Sequence, residues 1–160
     1  MSLPAPARPL LDWMGGDRGR KLDAEIVRRT GHSLYGWLFA RNIGVQYHAP
    51  LALTTIGHRS GRLHTIAIAY STTPDGSIAV VGSAGGSERE PHWLRNLRAN
   101  PAAWVHVARR TTPVRAAVLE GAAKQPLWDQ SCARAPIFGE YQARVARDIP
   151  VVVLHTYDRS

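Results

Sequence analysis

Between Leu53 and Thr65 the chain reads LTTIGHRSGRLHT, two apolar runs around a segment of glycines and hydrogen-bond donors. Gly57 and Gly61 permit the positive φ of a tight turn, which lets backbone N–H groups converge on an anion. His58, Arg59, Ser60, Arg62 and His64 would surround that concavity with further donors. Phosphate is the ligand such a tip suits; taken alone, the same residues suit a basic turn in water equally well.

Two further stretches hold residues capable of chemistry. SAGGSEREPHWLRNLRANP, from Ser83 to Pro101, places Gly85 and Gly86 ahead of a helix. The glycines allow a ligand close to the backbone, and the helix N-terminus offers amides. Asn96 adds a two-sided polar group. The competing use of this segment is a flexible loop and a surface helix whose Trp93 fills the core. APIFGEYQARVARDIPVVVL, from Ala135 to Leu154, spaces Phe138 and Tyr141 three apart. On a helical turn they share a face and could close over a flat ring, although core packing is the commoner use of such a pair.

Other chemistries lack their residues. The seven histidines show no close paired spacing, so no metal site is expected. The single cysteine, Cys132, excludes an internal disulfide, and its setting LWDQSCARA has no nucleophile signature. No phosphate-binding Walker loop or GxSxG elbow occurs, and GSAGGS lacks the full dinucleotide fingerprint.

The elements that must position these residues follow from periodicity. Pro4, Pro6 and Pro9 predict an extended tail over residues 1–20. From Lys21 to Ile43, Leu22, Ile26, Leu34, Trp37 and Leu38 fall near helical spacing, and two short helices are expected, the second capped by Ser33. After Pro50 six strand-like runs appear: LALTT, HTIAIAYST, SIAVVGS, AAWVHVA, TTPVRAAVLE and VVVLHTY. A helix opened by Pro91 separates the third from the fourth, and another is expected over about Ala122 to Ala133. The first three runs lack helices between them, so the expected fold is mainly β (α+β): a six-stranded antiparallel barrel with flanking helices, in one domain over residues 21–160.

Composition narrows the partners. The 160 residues carry a formal net charge of +8, and 18 of the 20 basic residues are arginine, which suits anionic ligands. Aromatic residues are not interleaved with the basic ones as a stacking platform requires, so no nucleic-acid partner is expected. No run approaches a membrane-spanning length, and prolines interrupt the start where a signal peptide is apolar, so a cytoplasmic protein is expected. Arginines between Arg8 and Arg41 leave weak peripheral contact of the N-terminal helices with the inner face of the membrane as a candidate, and a homodimer as another.

In order and spacing, the three segments resemble the deazaflavin-dependent nitroreductase family of actinobacteria over Leu51 to Leu154. Its TTxGRKSGxxR matches TTIGHRSGRLH; its SxGGxxxxPxWxxNLxANP matches SAGGSEREPHWLRNLRANP; its YPxYxxYQxxxxRxIPVVxL matches APIFGEYQARVARDIPVVVL. The resemblance implies a split β-barrel related to flavin reductases and FMN-binding proteins. It also implies the cofactor coenzyme F-420 (8-hydroxy-5-deazaflavin), with FMN the alternative, and hydride transfer to a small-molecule acceptor such as a quinone, enone or nitro compound. His58, Arg59, Ser60, Arg62 and His64 would receive the cofactor's phosphate. Thr65, Ile66, Ala67 and Ile68 would run beside the ring, opposite Ser83 and Ala84, with His92, Trp93 and Asn96 contributing from the helix. Phe138 would pack near the ring. Ala135, Phe138 and Tyr141 would shape the substrate side, Tyr141 as hydrogen-bond donor. Histidines at 58 and 64 and Ala84 replace the family's usual basic residues, and Ala135 and Phe138 replace tyrosines.

Overall fold

The hexapeptide GHRSGR separates two apolar runs that become neighbouring strands of one sheet. A computed structural model describes residues 8–157. Three helices come first: α1 (Arg8–Gly15), α2 (Asp17–Thr30) and α3 (Leu34–Ile43). Strands β1 (Leu51–Ile56), β2 (Leu63–Ile68), β3 (Ser71–Thr72) and β4 (Ile78–Val81) follow, then α4 (His92–Ala99), β5 (Ala102–Val107), β6 (Arg110–Leu119), α5 (Gln125–Arg134), α6 (Ile137–Arg144) and β7 (Val151–Thr156). The strands join one sheet in the order β2-β1-β5-β6-β7-β4-β3. The α+β class and the antiparallel sheet are as expected, with seven strands instead of six. The run HTIAIAYST divides at Ala69–Tyr70, and Ser71–Thr72 turns back on β4 through Thr73–Ser77.

Residues 8–15 and 17–20 are helical, joined by an extended Gly16, and do not form an extended tail. Pro9 sits in the first turn of α1, where its missing N–H costs nothing. Leu11 and Met14 then give the helix a face that packs with Tyr35 and Leu38 of α3. The part of the expected tail over residues 1–7 lies outside the described residues.

The described chain divides into two compact units. One runs through Thr54 and takes in His64–Ala69 and Trp104–Thr112; the other holds Thr55–Leu63, Tyr70–Ala103 and the chain from Pro113 on. In the first, Ser33 caps α3 as expected, accepting from Gly36 N–H at 2.7 Å. Its hydroxyl donates to the buried Asp23 at 2.5 Å, and the other carboxylate oxygen of Asp23 accepts from Tyr35 N–H at 3.0 Å. A buried carboxylate thus joins α2 to the start of α3, each oxygen satisfied.

In the second unit β7 pairs antiparallel with β4 (Val80 opposite Val152) and with β6 (Ala117 opposite Val153). Val151–Leu154 are buried without alternation, as a strand flanked on both edges and covered on both faces must be. Pro113 stands in β6 at an exposed position. Trp93, Leu94 and Leu97 of α4 are buried, while Val81, Val145 and Ile149 form a cluster under Trp128, Phe138 and Tyr141.

Candidate functional site

The hairpin tip is closed by its own backbone: Gly57 N–H donates to Arg62 O at 2.8 Å, and Gly61 N–H to Gly57 O at 2.8 Å. Of the two glycines only Gly61 takes a positive φ, 67°; Gly57 does not use the freedom the sequence suggested. His58, Arg59, Ser60 and Arg62 are exposed on this loop. Ser60 Oγ accepts from Arg62 N–H at 3.2 Å. Neither Arg59 nor Arg62 has a carboxylate partner among the described residues, whereas Arg20, Arg28, Arg29, Arg98 and Arg144 each pair with an acid.

The loop is fixed from beneath by α4. Asn96, 3% exposed, directs Oδ1 at the backbone N–H of His58 (3.1 Å) and at its ring Nδ1 (2.8 Å), while Nδ2 donates to the hydroxyl of the fully buried Thr55 at 3.0 Å. A backbone N–H only donates, so the atom it meets is the amide oxygen. An amide oxygen only accepts, so Nδ1 of His58 carries hydrogen, and Nε2 is left for an outside partner. Asn96, expected at the cofactor site, has its polar atoms engaged within the protein, where it positions His58.

The second wall is the 3-10 turn at Ala84–Gly86. Ala84 (φ 47°), Gly85 (64°) and Gly86 (79°) are all left-handed, an arrangement that strains the alanine. Arg147 holds it: Nε donates to Ser87 O at 2.9 Å, and one terminal nitrogen to Gly82 O and Ser83 O, each at 3.0 Å. The other terminal nitrogen is buried with no partner among the described residues. Gly86 meets α6 so closely that an added Cβ would lie 3.0 Å from Tyr141 Cδ1. Gly82 meets Leu94 of α4 in the same way.

Phe138 and Tyr141 share one face of α6 as their spacing predicts, ring centroids 6.4 Å apart and edge-on. Both are half-buried over Val81, Val145 and Ile149. Ala135, also half-buried, ends α5 just before them. His92 is exposed at the start of α4, its Nδ1 3.0 Å from Arg95, whereas Trp93 and Ser83 are buried. The second unit thus brings together the hairpin tip, the Ser83–Gly86 turn, α4 and the Phe138–Tyr141 face. His64–Ile68 belong to the other unit; there β2 changes from exposed at His64 to half-buried from Thr65 on.

Sequence reasoning missed Thr55 and Arg147. The TT pair and the ARDIP segment hold them, but nothing local announces a partner so far along the chain. Among the described residues no group of three or more His, Cys, Asp or Glu is placed to hold a metal ion. No helix among them is long and apolar enough to cross a membrane.

A family model described as F420H(2)-dependent quinone reductase matches residues 27–156. An F420H(2)-dependent quinone reductase of Mycobacterium tuberculosis is 34% identical over 113 residues, covering 65% of this chain and 71% of that protein. Among solved structures, an F420-H2 dependent reductase (FDR-A) is 30% identical with a TM-score of 0.59, covering 66% of this chain and 92% of the other. A chain described as a domain-swapped dimer is 28% identical with a TM-score of 0.60, covering 90% of this chain and 98% of the other. These likenesses bear out the split-barrel class that the family resemblance implies.

Proposed function

Because the chain belongs to the F420H(2)-dependent quinone reductase family, we propose that its hairpin tip holds the phosphate of the deazaflavin and its Phe138–Tyr141 face receives the quinone. The protein is an oxidoreductase of that family, using coenzyme F-420 as hydride donor to a quinone. The observation that carries the site reading is the exposed Arg59–Arg62 pair, without acidic partners, on a loop locked by Asn96. Two uncommitted guanidinium groups, a hydroxyl and an imidazole form a donor set suited to a phosphate.

The bound deazaflavin supplies the hydride, and the chain supplies position and surroundings. Arg59, Arg62, Ser60 and His58 would anchor the anionic tail, and His64, exposed at the start of β2, would add a further donor. In the second unit Ser83 and Ala84 would orient the ring, and in the first the half-buried face of β2, Thr65–Ile68, would flank it. Trp93 and Asn96 act from beneath, by packing and by holding His58, and His92 stands at the exposed end of α4. Phe138 and Ala135 offer the acceptor an apolar wall that excludes water, and the hydroxyl of Tyr141 donates a hydrogen bond to its oxygen.

The N-terminal helices carry an apolar surface of their own. Leu10, Trp13, Leu34, Trp37, Phe39 and Ile43 are large apolar residues exposed there, with Arg41 over the Trp37 ring at 5.6 Å. We read this face as a weak contact with the inner surface of the membrane in an otherwise cytoplasmic protein, the homodimer being the competing occupant. Sedimentation with anionic vesicles against concentration-dependent self-association separates them.

The test of the cofactor site is a parallel titration of purified protein with oxidised deazaflavin and FMN, followed by fluorescence. Tight deazaflavin binding with weak FMN binding supports the reading; the reverse order overturns it.

A further inference from the structure

We propose that Thr111, His106, Thr54 and Thr65 form a proton relay from the surface turn between β5 and β6 to the half-buried face of β2, an inference that rests on the reading that β2 flanks the bound ring. His106 Nδ1 lies 2.8 Å from Thr111 Oγ1, and Nε2 lies 3.1 Å from Thr54 Oγ1. Thr54 Oγ1 is in turn 2.8 Å from Thr65 Oγ1. The middle of the chain is buried, Thr54 at 6% and His106 at 8% exposure, while Thr111 is exposed and Thr65 half-buried. Every member can both donate and accept, and the two inner members are shielded from water.

With a neutral imidazole this chain has two fully satisfied arrangements. In the first, Thr65 donates to Thr54, Thr54 to Nε2, and Nδ1–H to Thr111. In the second every bond is reversed: Thr111 donates to Nδ1, Nε2–H to Thr54, and Thr54 to Thr65, whose own hydroxyl hydrogen is free to face a ligand. Burial lowers the His106 pKa, Arg28 lowers it further and Glu25 opposes both, a net lowering that favours the neutral ring the two arrangements use. A carbonyl oxygen or oxyanion held against Thr65 favours the second arrangement and the Nε2–H tautomer.

Passing from the second arrangement to the first delivers one proton. Thr65 releases its hydroxyl proton to the oxyanion held against it and takes that of Thr54; Thr54 takes the Nε2 proton; Nδ1 takes that of Thr111; Thr111 takes one from water. That oxygen thereby becomes neutral. The hydroxide left in bulk is neutralised by buffer. Rotation of the hydroxyls and exchange of the imidazole protons with water restore the starting arrangement. A polar cluster that only fills space would need one arrangement, and its two ends would not sense each other.

The test reads the ring nitrogens of His106 by nitrogen-15 NMR. In ligand-free Thr65→Val, the Thr54 hydroxyl keeps only Nε2 as a partner and donates to it, since a buried hydroxyl hydrogen without an acceptor is the costlier loss. The Nδ1–H tautomer therefore gains population relative to wild type, and Thr65→Ser restores the wild-type ratio. Saturating wild type with oxidised deazaflavin, binding being followed separately by fluorescence, moves the ring toward Nε2–H. Thr111→Val abolishes that movement. An unchanged tautomer in folded Thr65→Val overturns the relay, as does deazaflavin binding that leaves the ring unmoved. Absence of deazaflavin binding overturns the cofactor reading instead, and the relay falls with it.

Discussion

The amide oxygen of Asn96 accepts two hydrogen bonds from one residue, the backbone N–H of His58 at 3.1 Å and its ring Nδ1–H at 2.8 Å. One side chain on α4 thereby sets both the path of the hairpin and the tautomer of its histidine. Asn96→Ala strands the buried Thr55 hydroxyl along with the two groups of His58. A loss of about 2–4 kcal/mol in unfolding free energy is expected. Denaturant titration checks the loss, and nitrogen-15 NMR should show the His58 ring released from its single tautomer. A single Nδ1–H tautomer surviving in the variant would argue that something else orients the ring.

Arg59 stands on the loop that Asn96 holds, with no acid beside it. Arg59→Ala should weaken deazaflavin binding by about 1.5–3 kcal/mol, the scale of a charge-assisted hydrogen bond, and leave unfolding almost unchanged. Fluorescence titration of a folded variant checks it, and undiminished affinity would move the phosphate elsewhere.

The turn between β5 and β6 carries strain that glycine would relieve. Ala108 (φ 46°) and Arg109 (φ 69°) are both left-handed, as a two-residue hairpin turn of the favoured hand requires. Arg109→Gly removes the steric penalty, partly offset by the freedom glycine adds to the unfolded chain. A net gain of about 0.5–1 kcal/mol is expected, a rise in Tm of roughly 1–4 °C. Thermal unfolding checks it; a lower Tm would mean that the arginine side chain stabilises the turn.

Acid stability depends on Asp148. Burial would raise its pKa, but the Gly121 N–H at 2.8 Å and the ion pair with Lys124 outweigh burial and lower it. A carboxylate with a depressed folded value stabilises above its unfolded range, near about pH 4, and that contribution is lost as pH falls through the folded value. Lys124 is buried and keeps a bond to Ile149 O at 2.6 Å, while the carboxylate is half in water. Asp148→Asn should therefore cost about 1–2 kcal/mol at neutral pH, less than for a fully buried pair, and the two proteins should converge in strong acid. Parallel curves across the acid range would remove Asp148 from the account.

What the sequence disclosed was what local spacing governs. Ser33 sits before Leu34 where a cap belongs, Phe138 and Tyr141 are one turn apart, and the apolar runs of β1 and β7 are strands because little but a strand buries them. Pro9 misled because proline disfavours a helix everywhere except its first turn, and where a helix starts depends on Leu11 and Met14 finding Tyr35 and Leu38. The Asn96 lock joins residues 38 apart, and the Thr54–His106 bond joins residues 52 apart. Both lie within ordinary sequence, legible only once α4 has packed beneath the hairpin tip and the sheet has brought β1 beside β5.

Acceptor choice is set where α5 passes into α6. Ala135 ends α5 at φ −141°, its N–H bonded to Ser131 O at 2.9 Å and its carbonyl accepting from Phe138 N–H at 3.1 Å. Extended backbone there accommodates any side chain, so Ala135→Tyr adds bulk without strain in the main chain. If Ala135 and Phe138 wall the acceptor, the small residue leaves room for a wide, flat, apolar molecule, and quinones should be reduced with higher kcat/KM than small nitroaromatics. Tyrosine at 135 would fill that room and exclude the largest quinones first. A size-graded quinone series should then show kcat/KM falling steeply with acceptor size in Ala135→Tyr, with the smallest member and the affinity for deazaflavin nearly unchanged. A uniform loss across the series, or a loss of cofactor binding, would show that this junction supports the fold and does not shape the acceptor site.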